Sequence, residues 1–174
     1  MYRLKVELSD VDRGVYAALD LRPARHPSET MRYLLTRVLA YCLCYEEGIE
    51  FTRGLSTADE PAVWIKDLQG RVRTWIEVGT PSAERLHKAS KAAPRVCVFT
   101  HHDPALLKRA ARAKTIHRAA EIEVYALAGP FLDALDAMTD RNAAWTLVHS
   151  EATLYVTSGG RDATGVVARH SLAE

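Results

Sequence analysis

Between Arg71 and Thr139 the chain switches repeatedly between a two-residue and a helical period, and this alternation limits the folds open to it. Arg71–Gly79 alternates, with Val72, Thr74, Ile76 and Val78 on one side and Arg71, Arg73, Trp75 and Glu77 on the other, the pattern of a half-buried strand. Thr80 can cap a helix with Pro81 at its first position, running to about Ala93. Arg95–Thr100 is a short apolar run of the kind found in buried parallel strands. Asp103-Pro104 opens a further helix ending by Lys114, Glu121–Ala128 reads as a strand, and Pro130–Thr139 as a helix. Strands separated by helices of this length pair in parallel through crossovers. The segments near 71–79, 95–100 and 121–128 are therefore expected to lie parallel.

The flanks read differently. Residues 2–9 and Val15–Leu21 alternate around the turn residues Asp10, Asp12 and Gly14, which predicts a hairpin. Ser28 can cap a helix whose stripe is Met31, Leu34, Leu35, Val38, Leu39 and Cys42, with Glu29 in its first turn and Gly48 as its stop. Ile49–Arg53 is a short extended piece, Gly54–Asp59 a polar loop, and Ala62–Ile65 a strand that pairs with 71–79 across the turn Asp67–Gly70. From Ala143 the chain alternates again, with a hairpin through Ser150-Glu151 and a polar tail. The expected fold class is α/β: one mixed sheet with flanking helices, antiparallel hairpins at both ends, and one domain over residues 1–174.

Composition sets further bounds. A hydrophobic fraction of 48% suits a chain that buries a core, and the net charge of +1 gives no whole-chain argument for nucleic acid. No apolar run approaches the roughly 18 residues that span a bilayer, so no membrane partner is expected. The alternating N-terminus does not read as a signal peptide. Cys42, Cys44 and Cys97 make an odd count, which is expected of reduced thiols in a cytoplasm and of buried side chains, not of a metal clamp.

Three acids stand where chemistry could use them. Glu29 lies at the head of a helix, Asp59 before a strand, and Glu77 inside the otherwise apolar segment Trp75–Gly79. Phosphodiester cleavage needs a metal to activate water and neutralise charge, and Mg²⁺ or Mn²⁺ can be held by two or three carboxylates. Asp59 and Glu77, brought to one edge by a hairpin, are the expected metal ligands, with Lys88 on the next helix, or Lys91 a turn further, as the cation facing phosphate. The plainer reading stands beside this one: Glu29 as a dipole partner, Asp59 as a loop residue, Lys88 and Lys91 as a solvated face. His101 and His102 follow the end of a strand, where ligand crevices form in α/β sheets. Lys108, Arg109, Arg112, Lys114 and Arg118 form a run with no acid between 108 and 118, which reads either as a phosphate grip or as a solvated face.

The runs Ala24–Thr30, Phe51–Leu55, Asp59-Glu60-Pro61 and Trp75–Gly79, with the N-terminal hairpin and the Lys88-Ala89-Ser90-Lys91 helix, resemble the YaeQ family of bacterial proteins over essentially the whole chain. The resemblance implies a restriction-endonuclease-like fold similar to the PD-(D/E)XK nucleases. Within it Asp59 looks like the first acid of the nuclease motif, Glu77 like the second, and Glu29 like the helical acid that many members add. Gly79 stands where the motif has lysine, and Lys88 is the natural substitute. The implied function is a metal-dependent nuclease-like protein acting on nucleic acid. The alternative is a catalytically inactive module of the same fold that binds nucleic acid or a protein.

Overall fold

The computed structural model describes residues 1–53 and 59–172, so the expected polar loop lies outside the described residues except for Asp59. Ten strands, β1 (Arg3–Asp10), β2 (Val15–Leu21), β3 (Ile49–Phe51), β4 (Val63–Lys66), β5 (Val72–Val78), β6 (Arg95–Thr100), β7 (Glu123–Leu127), β8 (Asn142–Ser150), β9 (Thr153–Ser158) and β10 (Arg161–Ser171), alternate with four helices, α1 (Met31–Leu43), α2 (Ala83–Ala92), α3 (Pro104–Ala111) and α4 (Gly129–Ala137). The strands form one mixed sheet in the order β2-β1-β8-β9-β10-β7-β6-β5-β4-β3. β5 pairs parallel with β6, and β6 parallel with β7, as the crossover argument requires. β1 and β2 form the expected hairpin, and β4 and β5 the second.

The expected polar tail is instead a strand at the centre of the sheet. The first half of β10 pairs with β9 and the second half with β7, so this strand joins the antiparallel half to the parallel half. Its inner face is built from small residues. A Cβ on Gly165 would stand 2.4 Å from Cγ of Phe131 in α4, so the helix packs where that side chain is missing. Small inner residues leave little apolar periodicity to read.

Two cores lie on opposite faces of the parallel strands. On one, α1 and α4 pack on Ile76, Val78, Cys97 and Phe99. On the other, Ala83, Leu86 and Ala89 of α2 and Leu107 and Ala111 of α3 cover Val96, Val98 and Val124. Fully burying a leucine such as Leu86 contributes roughly 1.5–3 kcal/mol. All three cysteines are buried and free. No helix among the described residues is long and apolar enough to cross a membrane.

Both helix starts fall two residues later than expected. The Ser28 hydroxyl is spent on His26 Nδ1 at 2.7 Å, and Thr30 caps α1 by accepting from the Tyr33 amide. Glu29 therefore precedes the helix and is not in its first turn. Ser82, not Thr80, caps α2 and accepts from the Arg85 amide. Gly48 is not the stop of α1, which ends at the Cys44 C-cap.

Candidate functional site

The C-terminal end of β5 gathers the candidate acids. The antiparallel register sets Val63 against Ile76, so the chain just before β4, carrying Asp59 and Glu60, runs beside the end of β5. Alternation along β5 sends Ile76 and Val78 into the α1 core and leaves Glu77 on the α2 side. Its neighbour Trp75 packs against the α2 core.

Glu77 is buried, and both carboxylate oxygens are engaged. Trp75 Nε1–H donates to one at 2.8 Å, and Arg85 Nε–H donates to the other at 2.6 Å. A second guanidinium nitrogen of Arg85 donates to the Glu60 carbonyl. The Glu77 carboxylate raises the already high proton affinity of Arg85, and Asp59 and Tyr33 add to the effect. Arg85, and not Lys88, is therefore the cation of α2 that meets Glu77. Lys88 is exposed one turn further along α2 and makes no ion pair among the described residues; Lys91 is exposed as well. Gly79 sits at φ +98°, in the left-handed region that side chains avoid. A lysine there would carry backbone strain.

Glu29 has a separate partner. It and Arg37 are both fully buried side chains, 3.7 Å apart. Neither Glu29 oxygen has a hydrogen-bond partner among the described residues. Arg37 donates to the carbonyls of Ala62, Ala24 and Thr52. Burial raises the Glu29 carboxyl above the ordinary carboxylate range, against the pull of Arg37. Burial likewise lowers Arg37.

Tyr33 feels both acids. Its phenol is pushed up to about 12, by burial first and then by Glu29, with Glu77 adding to the effect. His101 stacks edge-on against Tyr33 at 6.2 Å, and its buried Nδ1 has no hydrogen-bond partner. Burial, helped by His102 and Arg32, pushes it down to about 4, so the imidazole is neutral at neutral pH. Arg37, Tyr33 and Arg85 were not read as site residues in the sequence. The spacing Glu29, Tyr33, Arg37, four residues apart, was the available signal.

As arranged, the acids do not make an open metal site. Each Glu77 oxygen accepts one N–H, the Arg85 guanidinium lies against it, Glu29 faces Arg37, and Asp59 is exposed. Among the described residues no group of three or more His, Cys, Asp or Glu side chains could hold a metal ion.

The raised Glu29 carboxyl has a measurable consequence. Its folded-state affinity for a proton exceeds the unfolded one, so the contribution to stability is full below the ordinary range of about pH 4 and is lost as pH rises through the folded value. The expected result is that Glu29→Gln, beyond the constant offset from taking the counter-charge from Arg37, gains stability relative to wild type as pH rises from acid towards neutral. Urea midpoints across pH check this, and parallel curves would rule it out.

A family model described as YaeQ protein matches residues 1–166. The uncharacterised protein YaeQ of Escherichia coli (strain K12) is 37% identical over 105 residues, which are 60% of this chain and 58% of that protein. The match thus spans less than two thirds of that relative. The crystal structure of a YaeQ protein from Pseudomonas syringae superposes with a TM-score of 0.89 at 33% identity, covering 98% of this chain and 94% of the other. The YaeQ protein of Xanthomonas axonopodis pv. citri gives the same TM-score at 29% identity, covering 98% and 97%.

Proposed function

The chain belongs to the YaeQ family, and on that footing we propose that it is a restriction-endonuclease-like module that binds nucleic-acid phosphate without cutting it. One observation carries this reading: Arg85 holds Glu77 at 2.6 Å. In a metal-dependent nuclease the cation facing phosphate is a metal held by carboxylates. Here an arginine supplies positive charge beside the acid, and arginine is suited to phosphate because its planar fork donates two parallel hydrogen bonds; a phosphate would take donors that now serve Glu77 and the Glu60 carbonyl. The proposed core comprises β4–β7 with α1 and α2.

A second reading, metal-dependent phosphodiester hydrolysis, has its own support. Glu29, Asp59 and Glu77 come to the same end of β5, and the Glu29 carboxylate lacks a hydrogen-bond partner among the described residues. In that reading Asp59 and Glu77 take Mg²⁺ or Mn²⁺, Glu29 is the further acid, and Lys88 faces the phosphate. It requires Arg85 to leave Glu77.

Fluorescence anisotropy with labelled single- and double-stranded DNA and RNA separates the two. The module should bind in EDTA, leave the strands intact with Mg²⁺ or Mn²⁺, and lose about tenfold in affinity on Arg85→Ala. Metal-dependent cleavage abolished by Asp59→Ala, Glu77→Ala or Lys88→Ala would replace the first reading with the second. In that case calorimetry should show metal heats in wild type that the Asp59→Ala, Glu77→Ala double variant lacks.

A further inference from the structure

The charge of this chain is unevenly placed. Residues 81–120 hold nine lysines and arginines against two acids, a net +7, while the whole chain carries +1, so the remaining residues carry −6. A near-neutral total therefore hides a strongly basic segment, and the fold decides whether it makes a surface.

It does. Leu86 and Ala89 of α2 and Leu107 and Ala111 of α3 enter one core over β6 and β7, so the outer sides of both helices face the same way. The linker after α3 ties them together. The His117 amide donates to His87 Nδ1 at 3.0 Å, and Arg118 donates to the carbonyls of Ser90, Ala93 and Pro94 at the end of α2. Lys88 and Lys91 on α2, Arg109 on α3 and Arg112 at its C-cap are exposed. None of the four makes an ion pair among the described residues. Acids from outside the segment offset part of its charge, Glu77 at Arg85, Glu123 at Arg95 and Glu121 at Arg118, but none reaches these four. Asp103 is spent capping α3, and Glu84 reaches only Lys114, at 3.9 Å.

The geometry points to the α2–α3 face as the docking surface for a nucleic-acid backbone. This rests on the proposed nucleic-acid reading and extends it from one contact to a track that leads from Arg85 along α2 and onto α3. The charges form rows and not a cup. Lys88 and Lys91 are about 4.5 Å apart along their helix axis, and Arg109 and Arg112 the same on theirs, at 1.5 Å per residue. Rows suit a linear polyanion, whose phosphates repeat along an axis, better than a compact anion. A membrane surface is less well matched. Helices that lie on lipid carry large apolar residues beside their cations, and among the exposed large hydrophobic side chains only Leu106 stands on these two helices.

The test is the salt dependence of binding. Each phosphate contact to duplex DNA contributes about −0.9 to the slope of log K against log salt. Binding of a labelled duplex in EDTA is measured for wild type, for Lys91→Ala/Arg109→Ala/Arg112→Ala, and for a charge-matched control on the other half of the sheet, Lys5→Ala/Arg22→Ala/Arg141→Ala. All six positions are exposed, and circular dichroism confirms that each variant folds. The expected result is a slope shallower by up to about 3 in the helix variant, at least tenfold weaker binding at low salt, and a control close to wild type. Equal weakening by the control would reduce the effect to net charge and overturn the proposal. If the helix variant binds like wild type while Arg85→Ala does not, the track is wrong and the phosphate site stands. If wild type ignores nucleic acid and binds phosphatidylserine vesicles, both fall.

Discussion

Replacing Arg37 by alanine is expected to remove about 3–5 kcal/mol of folding stability, the range for breaking a buried charge pair from one side. The side chain is fully buried and sits in the middle of α1, yet it makes no contact that α1 itself needs. Its guanidinium instead holds the carbonyls of Ala24, Thr52 and Ala62, on the approach to α1, just past β3, and just before β4. Alanine strands the Glu29 carboxylate without its cation and takes a charged donor from three carbonyls, of which the buried one, that of Ala62, keeps the Thr52 amide as a donor. The stranded Glu29 charge accounts for most of the range, and the lost hydrogen bonds from the guanidinium add to it. Arg37→Lys should not rescue, because one ammonium cannot span three directions. The double variant Glu29→Gln, Arg37→Ala should recover part of the loss, since it removes the stranded charge. Urea unfolding of the four proteins checks this. A loss under about 1 kcal/mol for Arg37→Ala would show that water reaches those carbonyls and that the arginine is not their anchor.

Arg37 also shows where reading from sequence stops. The β1–β2 hairpin, the boundaries of β6 and the parallel β5–β6–β7 core were legible, because hydrophobic period and turn residues are local signals. Which of two capping hydroxyls is used was not. Ser28 and Thr30 are chemically equivalent, and a contact with His26 decides between them. The same limit applies at the site. Glu77 was recognisable as an acid in an apolar strand, and its face follows from alternation. That Arg85 and not Lys88 meets it depends on α2 starting at Ala83. A two-residue shift of the start changes which side chain projects over the strand end, since each residue turns the helix by about 100°. Asp59 was placed correctly before β4, but its role depends on side-chain geometry that spacing does not supply.

Gly48→Ala is the second large effect, and it separates two jobs that a glycine can have. In the sequence Gly48 reads as the stop of α1. In the fold it lies beyond the helix end, immediately before β3, with φ +94°. A Cβ there would stand 2.2 Å from the Lys66 carbonyl oxygen. The obstacle is backbone at the end of β4, where Lys66 N–H donates to the Gly48 carbonyl at 3.1 Å. It cannot rotate away as a side chain could. Alanine must therefore accept left-handed backbone, about 1–3 kcal/mol, and also push β4 from β3, losing a hydrogen bond of about 1 kcal/mol. A total of about 2–4 kcal/mol is expected. Gly14→Ala isolates the first part. Gly14 has φ +68°, but a Cβ there meets nothing within 4 Å, so its cost should stay near 1 kcal/mol. The difference between the two variants in urea midpoints measures the clash alone. Equal losses would mean that β4 yields freely, and the β3–β4 edge beside the site would then be far softer than its packing implies.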